Sequence, residues 1–393
     1  MKYNLLIFIF FISFICSSCN SKKSKQPNIG TNEIEKNNIT NQKNSRKFTL
    51  NDFYTYDSKL ASLTDSIFNT LNDQEKVAQM IISSIGELGY SLQKAKQLVK
   101  NKKVGGFVIL KDTKENHKQA IESLNLTAKN ANSLGLLFSA DAEPSLLNSR
   151  IKGSAKVKNT ISIKSISECD SIARIISKEL KTLGVHQNYA PVLDVSPNNS
   201  AIKSRSFGSN PEKVIDMCNA FIKSTQNQNI VATVKHFPGH GLVKGDTHFN
   251  SVYIDGELLE VNNYKSIIDN NVISVMVSHI AIKNNPKYNT FNVPASCSQK
   301  IVTGLLKNKF NFKGIIISDG MKMKALEQIP NATLEASKAG CDIILIPEDE
   351  DETIQSILKE TSTNKAYKSQ VYQSVMKIIR LKICLGIIQT HLK

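Results

Sequence analysis

From about residue 50 the chain alternates short apolar runs with longer stretches in which apolar positions recur every three or four residues. The short runs read as buried strands and the longer stretches as amphipathic helices. Strands are expected over 79–83, 106–110, 136–140, 187–190, 230–234, 274–277, 314–317 and 342–346. Helices with plausible caps lie between them, over 73–78 after Asn72, 169–183, 211–226 and 299–308. Eight strand–helix units predict an α/β fold, a (β/α)₈ barrel of the TIM type in one domain. A doubly wound open sheet is the alternative on pattern alone.

The strand ends sharpen this reading. Asp141 follows the third strand, and Asn188 to Asp194 span the end of the fourth. Lys235-His236 ends the fifth, His279 the sixth and Asp319 the seventh. So many polar groups would be costly to bury unpaired. Along one rim of a barrel they converge on a single cavity, where catalytic groups collect on loops. The densest stretch is Lys235-His236-Phe237-Pro238-Gly239-His240-Gly241, followed by Asp246-Thr247-His248. A buried strand, Ile230-Val231-Ala232-Thr233-Val234, delivers a cation and an imidazole into a loop made flexible by Gly239, Gly241 and Gly245.

The two ends of the chain differ from this body. Lys2 precedes an apolar run from Leu5 to Cys16, then Ser17-Ser18-Cys19. The run is too short to span a bilayer and suits a signal h-region. Small residues directly before a cysteine resemble a bacterial lipoprotein cleavage site. Residues 1–19 are therefore expected to be a lipoprotein signal segment, with Cys19 lipidated. Residues 20–48 are rich in Lys, Asn and Ser, cannot bury a core, and read as a flexible tether to the membrane. The barrel then occupies 49–393, with no second domain expected after it. This arrangement implies the cell envelope, on the periplasmic side. Of 393 residues, 40% are hydrophobic, which is ample for one large core.

The formal charge is +16, but seven Lys/Arg against two Glu fall within 20–47, so part of it lies outside the folded body. A basic face could meet an anionic membrane or polymer; a Lys-rich composition is the simpler reading. No arginine-rich stripe interleaved with aromatics supports nucleic-acid binding. Cys169, Cys218, Cys297, Cys341 and Cys384 are scattered and odd in number, so they read as core residues rather than a disulfide framework or a zinc site.

Asp319 lies after the run Gly314-Ile315-Ile316-Ile317-Ser318 and before Gly320. A carboxylate on a rigid strand end is a positioned nucleophile or a metal ligand; it is equally an N-cap for a helix over 321–326. Asp246 can hold one ring nitrogen of His248 and leave the other to move a proton. His236 and His240 are spaced four apart, but Pro238 and Gly239 between them rule out a helical metal-binding pair, and no metal is expected. Lys235 and Arg205 suit hydrogen bonds to a hydroxyl-rich or anionic ligand.

The string 235–241 with Asp246 and His248 resembles the signature of glycoside hydrolase family 3, and more narrowly of its bacterial β-N-acetylglucosaminidases. Val104-Gly105-Gly106-Phe107, Asn188-Tyr189-Ala190-Pro191-Val192-Leu193-Asp194-Val195, Arg205-Ser206-Phe207-Gly208 and Ile317-Ser318-Asp319 with Met321 and Met323 agree in order and spacing. The resemblance covers roughly 70 to 390. It implies a (β/α)₈ barrel and a retaining mechanism through a covalent glycosyl-enzyme. By the same resemblance Asp319 is the nucleophile, His248 the general acid/base and Asp246 its partner. Asp141, Arg205, Lys235 and His236 would hold the sugar.

The chain departs from the family at one segment. The family usually shows Asp-x-Glu-Gly-Gly after the third strand; here it reads Asp141-Ala142-Glu143-Pro144-Ser145. An arginine normally follows, and Arg150 is the candidate, one residue out of register. Contacts to the outer hydroxyls of the sugar are expected to change. The leading reading is exo-acting release of terminal N-acetylglucosamine from peptidoglycan fragments (muropeptides) or related glycans, by a monomer needing no cofactor. The alternatives are an anchored sugar-binding protein of weakened activity, and glycosyl transfer to phosphate instead of water.

Overall fold

The computed structural model describes residues 47–195, 199, 201–243, 246–247 and 251–388. Eight parallel strands form its centre: β1 (Ile81–Ile85), β2 (Gly106–Ile109), β3 (Leu137–Ala140), β4 (Gln187–Asn188), β5 (Val231–Phe237), β6 (Ser274–Val277), β7 (Ile315–Ser318) and β8 (Ile344–Leu345). Each pairs with its neighbour in chain order from β1 to β7, and β8 pairs with β1 through Ile81–Ile344 and Ile82–Leu345. The gap between β7 and β8 is bridged at Ile317 and Ile343, where the Ser318 amide donates to Ile343 O at 3.0 Å and the Ile343 amide to Ile316 O at 3.1 Å. The ring therefore closes into the expected (β/α)₈ barrel, which leaves no sheet edge. Close approach of strands explains Gly106: a Cβ there would sit 1.9 Å from Leu137 O on β3.

Helix starts follow the caps in the sequence. Asn72 accepts the Glu75 amide while Glu75 returns a bond to the Asn72 amide, which starts the helix Asp73–Ala78. Ser165 accepts the Glu168 amide, so the helix expected over 169–183 runs Ile166–Leu183 and begins three residues earlier. Asn210 caps Pro211–Asn227, with proline in its first turn. The helix expected over 299–308 is Lys300–Lys309, and it is a π-helix.

Most strand boundaries shift by one to three residues from expectation, and three of the shifts have a clear cause. Gln79 closes the helix Asp73–Ala78 in αR geometry, so β1 starts only at Ile81. β4 stops at Asn188, ahead of Pro191, whose missing N–H cannot join a ladder. β5 continues through Lys235 and His236 to Phe237, with a register shift against β6 between Val234 and Phe237. Lys235 and His236 thus belong to the strand rather than to a flexible loop.

The helix Lys365–Cys384 reaches the chain just ahead of β7, where Lys377 donates to Gly314 O at 3.1 Å. Arg380 donates to the carbonyls of Asp52, Phe53 and Thr55, tying the start of the described chain to this helix. Lys382 is fully buried beside it, donating to Gln79 Oε1 at 2.7 Å and Gly105 O at 2.8 Å. Burial pushes its pKa down to about 7 from an ordinary 10.5. Between those pH values the folded chain holds fewer protons here than the unfolded chain, so stability from this site rises with pH. Against Lys382→Met, the wild type should gain about 1 kcal/mol per pH unit from pH 7 to 9 in chemical denaturation. A pH-independent difference would contradict this. All five cysteines of the barrel are buried with free thiols.

Candidate active site

The polar strand ends surround a cavity of about 520 Å³ at the C-terminal ends of the strands. Asp141, Arg150, Arg205, Lys235, His236, Asp246 and Asp319 all line it, with Tyr189, Lys203 and Lys322 completing the wall. The register shift in β5 explains how adjacent residues, Lys235 and His236, both face it, since regular strand neighbours point to opposite sides.

Lys235 is 2% exposed, a burial that would be costly for an unpaired ammonium. Its Nζ lies 2.5 Å from Asp141 Oδ1 and 2.6 Å from Glu143 Oε1. Glu143 is buried as well and takes a bidentate grip on Arg205, Nε to Oε2 at 2.8 Å and Nη2 to Oε1 at 2.7 Å. Burial alone would raise the pKa of Glu143; Arg205 and Lys235 instead hold it far below the ordinary carboxylate range. Arg150 Nη2 reaches Asp141 Oδ2 at 3.5 Å from the opposite side. Two carboxylates and three cations thus make one connected wall.

His236 is oriented by its neighbours. Its Nε2 faces Arg205 Nη2 at 3.3 Å, and a guanidinium can only donate. Nδ1 therefore carries the proton and donates to Asp194 Oδ2 at 2.7 Å. Asp194 is buried, which by itself would raise its pKa; the bonds from His236 and from the His240 amide, the latter 2.7 Å from Oδ1, hold it low.

Asp319 follows β7. Its amide donates to Val277 O at 2.9 Å, and its Oδ1 accepts from the Gly320 amide at 2.8 Å. No α-helix spans 321–326: a 3₁₀ turn, Lys324–Leu326, begins after Met323. The N-cap alternative for Asp319 is thereby removed.

The model of the glycosyl hydrolase family 3 N-terminal domain matches residues 73–381. The chain belongs to glycosyl hydrolase family 3. It is 32% identical over 206 residues to a β-hexosaminidase of Nitrosomonas eutropha, covering 49% of this chain and 57% of that protein. With β-hexosaminidase A of Pseudoalteromonas piscicida it shares 29% over 238 residues, covering 54% and 40%. The chain thus spans about half the length of these curated relatives. The solved β-N-acetylglucosaminidase of family 3 from a Paenibacillus species superposes with a TM-score of 0.74 at 24% identity, over 82% of this chain and 64% of that one.

Within this family 3 barrel, His279 and His240 do not line the cavity. His279 is buried outside the cavity wall, its Nδ1 2.7 Å from Ser296 Oγ and its Nε2 3.0 Å from Gly320 O, so it buttresses the turn after Asp319. His240 packs edge-on behind His236 with both ring nitrogens buried. His248 and Gly245 lie outside the described residues, as do Cys19 and the tether up to residue 46; of the expected pair Asp246 and His248, the described member, Asp246, lines the cavity.

Glu143 and Asp194 were legible in the sequence only as members of their segments, and neither had an individual role there. The signal for Glu143 was charge balance, since Lys235 and Arg205 needed more than Asp141 as a partner. The unusual Pro144-Ser145 leaves this wall intact. Ser145 Oγ donates to Ser204 O at 2.8 Å and accepts the Thr160 amide at 2.9 Å, which fixes the turn Lys203–Arg205. Asn188 holds the preceding residues, accepting the Ala142 amide at 3.0 Å and donating to Ala142 O at 3.1 Å.

Proposed function

We propose that this chain is a retaining, exo-acting β-N-acetylglucosaminidase. The observation that carries the reading is the placement of Asp319 and Asp246 in one cavity with the wall Asp141–Lys235–Glu143–Arg205. Such a wall of fixed donors and acceptors suits the hydroxyls of a terminal sugar. Asp319 attacks the anomeric carbon as the bond to the leaving oxygen breaks, and His248 gives that oxygen its proton. Water then adds to the anomeric carbon, His248 takes the proton back, and the Asp319 carboxylate leaves. Asp246 holds the imidazole and stabilises its charged form. The β-hexosaminidase names of the relatives support N-acetylglucosamine as the sugar. Peptidoglycan fragments are the substrates that fit a protein anchored at Cys19 outside the cytoplasm.

The test is turnover of an aryl N-acetyl-β-glucosaminide by the mature protein. Sugar binding without aryl release would overturn the reading in favour of an anchored binding protein. Running the assay with and without phosphate separates hydrolysis from glycosyl transfer by the product formed. His248→Gly should slow release of unactivated leaving groups about a hundredfold or more, with a far smaller loss on activated aryl donors. Equal losses on both would remove His248 as the acid.

A further inference from the structure

The chain leaves β5 through Gly239 and Leu242 towards Asp246. This exit is gripped from beneath by one carboxylate that the mechanism above does not use. Glu260 is 5% exposed. Its Oε1 accepts the Val195 amide at 2.8 Å, from the segment after β4, and its Oε2 accepts the Leu242 amide at 3.1 Å. Gly239 lies directly over it, at φ +132, and a Cβ there would come within 2.5 Å of Glu260 Cβ. Burial first and the Asp194 charge second push its pKa up to about 7, against the amide bonds of Val195, Leu242 and Gly241. A buried carboxylate held by amides, with no Lys or Arg pairing it among the described residues, is costly to maintain as mere filling. Asp194 grips the same exit one residue earlier, at the His240 amide.

We propose that Glu260 is a positioning residue for proton transfer: it fixes Gly241 and Leu242, where the chain leads towards Asp246, against the segment after β4. The inference rests on the proposed role of His248 and Asp246. Glu260 does not line the cavity, so its effect travels through the backbone at Gly241 and Leu242.

The experiment compares kcat/KM on two N-acetyl-β-glucosaminides, one with a dinitrophenyl leaving group that departs unaided and one with a poor leaving group that needs the acid. Glu260→Gln puts an amide group where a carboxylate oxygen met an N–H. It should lower kcat/KM about tenfold or more on the poor leaving group and within about twofold on the activated one. His248→Gly, run beside it, should show the same pattern more strongly. Equal losses on both substrates in Glu260→Gln would make Glu260 structural and overturn the proposal. If His248→Gly lacks the pattern, the acid/base reading itself falls and the proposal with it. Glu260→Asp keeps the charge but shortens the reach, and gives the same readout if the Gln variant does not fold.

Discussion

Asp319→Asn should lower turnover of N-acetyl-β-glucosaminides by roughly 10⁴-fold or more while leaving sugar binding within a few-fold. The asymmetry follows from geometry. The residues proposed to hold the sugar lie after β3, on β5 and in the Lys203–Arg205 turn, whereas Asp319 follows β7. An amide of the same shape preserves the bond from the Gly320 amide through its oxygen, so neither fold nor wall should change. What it cannot do is form a bond to the anomeric carbon. The measurement pairs initial rates with mass analysis after a donor deactivated by ring fluorination. The wild type should carry one sugar on the peptide containing Asp319, and the variant none. A label on another carboxylate, or a variant with near-normal rates, would refute the assignment.

Much of the barrel was legible because its strands are buried on both faces. Ile315-Ile316-Ile317 and Val231-Ala232-Thr233-Val234 carry almost no polar residues, and such runs stand out against the Lys- and Asn-rich helices. The same logic failed where a strand is functional. The apolar run stops at Val234, with Lys235 and His236 read as its polar end; here Asp141, Glu143 and Asp194 neutralise or bond them, so the ladder runs on to Phe237. Those partners lie 94, 92 and 42 positions away and no local pattern reports them. The helix expected at 321–326 failed for a related reason. Gly320 O is taken by His279 Nε2, and the Met321 amide donates across to Leu345 O, so the segment is pinned to its neighbours before a helix can nucleate.

Glu143 should prove the most sensitive position outside the reacting groups. Replacing it with alanine leaves the buried Lys235 with Asp141 alone and removes both bonds from the Arg205 fork. Breaking a buried ion pair by deleting one partner costs about 3–5 kcal/mol, because the surviving charge stays desolvated. Glu143→Ala should therefore unfold at markedly lower denaturant, and any folded fraction should show a raised KM as Arg205 and Lys235 lose their aim. The pH dependence gives a second check. The folded-state pKa of Glu143 lies well below its ordinary 4.5, so its stabilisation is complete above that value and is lost as the pH falls beneath it. Glu143→Gln matches the shape but carries no charge to lose, so the stability gap between it and the wild type should narrow on acidification. A gap that stays constant down to pH 3 would mean that the two cations are held by Asp141 and solvent, and that Glu143 is only packing.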